Sequence, residues 1–226
     1  MRLKDKVAVI IGAGQNPGET IGNGRATALR FAQEGARILA VDRRLEFAEQ
    51  TAQLARAEGA DCITFEADVT QEATLAAAMV AAQQRWGHID ILHYNVGISI
   101  EGNDAPVTEI TEAAFDRICQ VNLRGAVMSC KHALPIMRSQ RSGVILMISS
   151  ISAYEIYPFV TYKATKGLPG NNCFKFGIDG SSRHTGRRPG IHALATRRAS
   201  RRRNLPILLR NEIVRQRIPL HRRQPL

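Results

Sequence analysis

From residue 7 to residue 150 the chain alternates short apolar runs with stretches of helical period, and this alternation limits its fold more than any other feature. "VAVII" (7–11), "RILAVD" (37–42), "CITFEADV" (62–69), "IDILHYNVG" (89–97) and "GVILMISS" (143–150) read as strands. Their nearly continuous hydrophobicity suits strands buried on both faces of a parallel sheet. Between them lie "RATALRFAQEG" (25–35), "LEFAEQTAQLARAEG" (45–59), "EATLAAAMVAAQQRWG" (72–87) and a long helical pattern from Glu112 to Arg138. The first three close on glycine, a helix stop signal. In the first, Ala26, Leu29 and Ala32 form an apolar face with Phe31 on its flank. Parallel neighbours cannot be joined by a hairpin; each needs a crossover, here a helix. Repetition of that unit predicts an α/β chain: a doubly wound parallel sheet with helices on both faces.

The pattern stops near residue 168, and the charge balance breaks there too. Residues 1–166 carry 17 Lys and Arg against 18 Asp and Glu, a net charge of −1; residues 167–226 carry 14 against 2, a net of +12. The +11 of the whole 226-residue chain therefore comes from its last 60 residues. Thirteen of those 14 cations are arginine, Lys175 being the exception. "RNEIVRQRI" suits two helical turns; no other period is sustained. The chain thus reads as an ordered unit over 1–168 and an atypical Arg-rich tail over 169–226, incomplete or irregular as a continuation of the sheet. Arg-rich, Lys-poor text with scattered proline is what a GC-rich gene yields out of frame, and a frameshift near codons 167–170, in the gene or in its sequencing, is the hypothesis it suggests.

The remaining bulk features exclude several classes. Hydrophobic content of 44% and charged content of 23% are ordinary for a globular chain. No apolar run approaches the roughly 18 residues a membrane span needs. "MRLKDKVAVIIGAG" starts basic, but its short apolar run leads into a glycine turn, so it reads as a first strand rather than a secretory signal. The four cysteines, Cys62, Cys119, Cys130 and Cys173, form no C-x-x-C pair and have no histidine at metal spacing. They read as reduced thiols of a cytoplasmic protein, with no metal site. His88, His93 and His132 carry no assigned chemistry.

Two places carry chemistry. The turn after the first strand, "GAGQNPGETIGNG" (12–24), holds five glycines between a strand and a helix. Glycine permits a tight turn and close approach of a pyrophosphate, whose charge the helix N-terminus attracts. Asp42 ends the second strand 20 residues after Gly22, where a carboxylate accepts from ribose hydroxyls and repels a 2′-phosphate. This favours NAD over NADP, with Arg43 and Arg44 beside it as the opposing signal. Farther on, Tyr162 and Lys166 are four apart and share one helix face. An unperturbed phenol has a pKa of about 10, so a neighbouring cation is what makes it useful near neutral pH. Pro169, Gly170, Asn171 and Asn172 then predict that this helix breaks soon after Lys166.

Together these stretches resemble the short-chain dehydrogenase/reductase family, single-domain bacterial type, over residues 1 to about 168. The marks are the glycine turn, "VDR" (41–43), "ADVT" (67–70), "NVG" (95–97), "VNLRG" (121–125), "MISSISA" (147–153), and Tyr162 with Lys166. The resemblance implies a Rossmann-like NAD(P)-binding domain and an oxidoreductase moving a hydride between NAD(H) and a small-molecule alcohol or carbonyl. It implies that Gly12, Gly14, Gly22 and Gly24 meet the phosphates, that Asp68 and Val69 contact the adenine end, and that Asn95 and Gly97 line the cofactor floor. Ser150 is implied to bond the substrate oxygen, with Ser149 and Ser152 as rivals. Tyr162 is implied to shuttle the proton, Lys166 to bind the nicotinamide ribose and assist the phenol, and Asn122 to hold a relay water.

The chain departs from that family in several positions. The glycine turn is longer than usual, Ile11 replaces Thr or Ser, Tyr94 replaces Asn, and Ser150 lies one residue closer to Tyr162. Beyond residue 168 the expected sixth strand, substrate loop and further helix have no counterpart in the sequence. The chain as written is therefore expected to be a poor enzyme, and the homo-oligomer usual for the family is in doubt. Two other functions compete: a catalytically impaired nucleotide-binding remnant, and a polyanion-binding module using the basic tail. The latter lacks interleaved aromatics and a recognition helix, which argues against a nucleic-acid partner.

Overall fold

The computed structural model describes residues 1–170. The Arg-rich tail, and with it the expectations placed on residues 171–226, lies outside the described residues. Five strands form one parallel sheet: β1 (Val7–Ile11), β2 (Arg37–Asp42), β3 (Cys62–Glu66), β4 (Ile91–Tyr94) and β5 (Val144–Met147), in the order β3-β2-β1-β4-β5. The helices are α1 (Asn23–Gln33), α2 (Leu45–Ala57), α3 (Glu72–Trp86), α4 (Glu112–Cys119), α5 (Gly125–Gln140) and α6 (Val160–Gly170). This is the expected doubly wound α/β arrangement, with the strand order reversing beside β1.

β1 is the centre of the sheet because it has no polar residue to expose. All five of its residues are fully buried, paired to β2 on one side and β4 on the other. Val9 and Ile11 face a core shared with Leu75 and Met79 of α3 and Met137 of α5. Ala8 and Ile10 face a core of small residues: Ala28 and Ala32 of α1, Ala48, Ala52 and Ala55 of α2. Each large aliphatic side chain so buried contributes about 1.5–3 kcal/mol. The alanine-rich side brings α1 and α2 close to the sheet, and Ala32 of the expected α1 face lies in this core with Leu29 and Phe31 packed against it. The buried face of α1 is Gly24, Ala28 and Ala32, with Ala26 and Leu29 only half-buried. Gly24 belongs to that face because an added Cβ would overlap the carbonyl oxygen of Gly12.

Three strands end earlier than their apolar runs suggested. β3 stops at Glu66, β4 at Tyr94 and β5 at Met147. The residues trimmed from them, among them Asp68, Asn95, Gly97 and Ser150, lie in the loops beyond the strands' carboxyl ends. The long pattern from Glu112 to Arg138 is also not one regular helix. A π-helical turn, Gln120–Arg124, separates α4 from α5. Within it the Val121 carbonyl accepts from the Tyr94 hydroxyl at 2.5 Å. Thr111 caps α4 by accepting from Ala114 N at 3.2 Å. No helix among the described residues is long and apolar enough to cross a membrane.

Candidate active site

The two chemical stretches meet at the carboxyl edge of the sheet, on either side of β1. On the β2 side, Gly12 leaves the strand with φ +81°, a left-handed conformation that favours glycine. Its N–H donates to Val41 O at 2.8 Å, and its carbonyl accepts from Asn95 Nδ2 at 3.0 Å. Asn95 thus ties the first turn to the end of β4. Gly14 donates to Asp42 Oδ2 at 3.0 Å, and a Cβ there would lie 2.5 Å from that oxygen. The other carboxylate oxygen accepts from Arg44 N at 3.2 Å. Gly22 caps α1 without any side-chain bond to the helix's free N–H groups. Glycines thus stand where a Cβ would strike Val96, Asp42 or Phe47, Gln15 accepts from Gly22 N, and the N-terminus of α1 beside them has no side-chain cap. Asp68 is exposed and accepts from Thr70 N and Thr70 Oγ1 at 2.9 and 2.8 Å, which fixes the β3–α3 turn beside buried Val69.

On the β4–β5 side stands Lys166. It is 4% exposed, and its Nζ donates to Val96 O at 3.1 Å and Ile148 O at 3.2 Å, just beyond the ends of the two strands. Burial pulls its ammonium down to about 8. Gly97 stands against this amine with no space for a Cβ, which accounts for glycine at that position. The Tyr162 ring centroid lies 5.9 Å from Nζ, one helical turn away as the spacing required. Asn122, in the π turn, is buried and fully engaged. Its Oδ1 accepts from Ile98 N at 2.8 Å, and its Nδ2 donates to Ile98 O at 2.9 Å and Thr165 Oγ1 at 3.0 Å.

The three serines after β5 have different partners. Ser149 Oγ donates to Lys166 O at 2.7 Å, so its hydroxyl is committed to α6. Ser152 is buried and donates to Ser150 Oγ at 2.9 Å. Ser150 Oγ also accepts from Ser152 N at 3.3 Å, which leaves its own proton for another acceptor.

One residue at this site was not anticipated from the sequence. Asp104, 7% exposed in the loop after β4, accepts from Thr161 N at 3.1 Å and Tyr162 N at 2.7 Å. It caps α6 from more than fifty residues away. The signal available was negative: "YPFV" before Thr161 offers α6 no local Ser, Thr, Asp or Asn cap.

Known proteins resemble this chain in sequence and in fold. The family described as "short chain dehydrogenase" matches residues 6–168. Levodione reductase of Leifsonia aquatica is 37% identical over 183 residues, covering 78% of this chain and 66% of that protein. 2-(R)-hydroxypropyl-CoM dehydrogenase of Xanthobacter autotrophicus is 36% identical, covering 72% of this chain and 63% of that one. The crystal structure of an NAD+-bound xylitol dehydrogenase superposes with a TM-score of 0.67 at 30% identity, covering 74% of this chain and 62% of the other. The chain belongs to the short-chain dehydrogenase family. It spans about two thirds of the length of these relatives.

Proposed function

We propose that this chain is built around an NAD-dependent site that interconverts an alcohol and a carbonyl, with Tyr162 as acid–base. The observation that carries the reading is the buried Lys166 ammonium, held between the ends of β4 and β5 one turn from the Tyr162 phenol. A buried cation is costly unless its charge is used, and a phenolate forming beside it is such a use. In this reading the dinucleotide takes the opposite half of the edge, its pyrophosphate meeting the turn of Gly12, Gly14, Gly22 and Gly24 at the uncapped N-terminus of α1, with Asn95 and Gly97 continuing the floor toward Lys166. Asp68 and Val69 would bracket the adenine, and Asp42 would meet the ribose hydroxyls. Bound there, the nicotinamide would supply or accept the hydride.

The chain's own residues have distinct tasks in this reading. In the reducing direction Tyr162 gives its phenolic proton to the substrate oxygen, and Ser150, whose proton is free, donates a hydrogen bond to the same oxygen. Lys166 opposes the negative charge left on Tyr162 and offers its remaining N–H to the nicotinamide ribose. Asn122 fixes the Ile98 backbone against Thr165, so the floor and α6 keep one spacing. A water on that backbone would complete the proton relay. Support for NAD over NADP is Asp42 itself, whose carboxylate would face a 2′-phosphate. The xylitol dehydrogenase neighbour is described with NAD+ bound. The reading also carries a small-molecule substrate and a cytoplasmic location.

The test pairs titration calorimetry with turnover. The chain should bind NADH more tightly than NADPH. Tyr162→Phe should leave NADH affinity nearly intact and lower turnover of secondary alcohols or ketones by roughly two to four orders of magnitude, the share general acid–base transfer supplies. Undiminished turnover in Tyr162→Phe would remove the phenol from the mechanism.

A further inference from the structure

The glycine turn is longer than the family's usual pattern, and the extra residues are not idle. Gln15 braces them: its Nε2 donates to Asn16 O at 2.8 Å and Thr20 O at 3.0 Å, while its Oε1 accepts from Gly22 N at 2.5 Å. This presents Asn16 toward the β2–α2 connection, where its Oδ1 accepts from Arg44 Nη2. The Arg44 guanidinium is also stacked on Phe47, with Cζ 3.7 Å from the ring centroid. Its Nε is buried with no acceptor among the described residues. Arg44 is thus folded onto the turn and the first turn of α2, although its backbone N–H touches the Asp42 carboxylate. Arg43, next to it, is exposed.

We propose that Asn16 and Phe47 form a latch that withholds Arg44 from a 2′-phosphate, making them specificity-determining residues for the cofactor. The inference rests on the reading that a dinucleotide ribose meets Asp42. A 2′-phosphate on that ribose would lie beside a carboxylate whose backbone donors are Gly14 and Arg44. A free guanidinium there would offset the repulsion and pair with the phosphate in a forked geometry. Held by Asn16 on one side and Phe47 on another, it does not. The latch gives the long turn a function, since Asn16, the turn residue bonded to Arg44, belongs to it. Asp42 then excludes the phosphate alone, and the cation that sequence position would assign to NADP is already engaged.

The experiment is a set of NADH and NADPH affinities by fluorescence titration on the full chain. Asn16→Ala should raise the NADPH-to-NADH affinity ratio about tenfold, the effect of roughly one charge-assisted hydrogen bond. Phe47→Leu should move it in the same direction. Adding Arg44→Ala to Asn16→Ala should cancel the gain, whereas adding Arg43→Ala should not. The latch is overturned if the ratio does not move, if both affinities fall together, if the gain survives loss of Arg44, or if Arg44→Ala alone already lowers NADPH affinity about tenfold. Failure of the unaltered chain to bind either dinucleotide would instead sink the nucleotide-site reading and the latch with it.

Discussion

Two buried bases show how differently one kind of residue is used within a single sheet. Lys166 has carbonyl acceptors at the carboxyl edge, while His93, in the middle of β4, has none for either ring nitrogen among the described residues. Burial lowers Lys166 from 10.5 to about 8 and His93 from 6.5 to about 4. Unfolded chain therefore binds an extra proton at Lys166 between pH 8 and 10.5, and stability rises with pH across that window; at neutral pH the full cost, roughly 3 kcal/mol, is present. Lys166→Met should accordingly raise the urea midpoint by an amount worth about 1–3 kcal/mol while abolishing turnover. A lower midpoint would mean that the carbonyl bonds outweigh burial. For His93 the same sign places the loss at acid pH, between 6.5 and 4, and again amounts to roughly 3 kcal/mol. His93→Leu puts an apolar side chain beside Ile10 and Leu146 and should flatten that limb of the stability–pH curve. An unchanged limb would show that other groups govern acid unfolding. The Tyr162–Lys166 pair was legible in the sequence because its spacing is local. The isolation of His93 was not, since it depends on what the rest of the sheet places around one ring.

At the scale of elements, the order of strands and helices was readable, but where they end and what anchors them was not. Apolar runs continued past Glu66, Tyr94 and Met147 because hydrophobicity alone does not distinguish a strand from the loop after it. In this chain those loops carry Asp68, Val69, Asn95, Gly97 and Ser150 of the candidate site. The π turn at Gln120–Arg124 was hidden within a continuous helical pattern, and it is what places Asn122 against Ile98 and Thr165. Tyr94, unusual in the sequence, is explained here: its hydroxyl satisfies the Val121 carbonyl of that turn. The anchoring of α6 by Asp104 joins positions 57 and 58 residues apart, beyond the reach of any local pattern. Asp104→Ala should cost about 1–3 kcal/mol, because two helix N–H groups lose a buried charged acceptor. Hydrogen exchange should accelerate first at the Thr161 and Tyr162 amides. Exchange no faster than in the parent would show that α6 is held by its packing rather than by its cap.

At the scale of the whole molecule, completion of the sheet depends on the chain beyond α6. Within the described residues β5 has β4 on one side and no strand on the other. The family match ends at residue 168, close to the composition break. Residues 167–226 carry 12 net positive charges, and their apolar residues are sparse and aperiodic. If no further strand covers β5, its edge favours association between chains and lowers solubility. Lys166 is buried, so trypsin cannot cut after it while α6 holds; Lys175 is the next cationic residue in the chain. Brief digestion should therefore leave a fragment starting at the N-terminus and ending at Lys175 or soon after, identified by intact mass. The coding DNA gives an independent check, because a one-base shift near codon 168 should restore a helix-periodic stretch and then an apolar strand. If the tail survives trypsin, and neither alternative frame yields that pattern, then the arginine-rich segment is a genuine part of the fold and the sheet is completed in a way the family does not use.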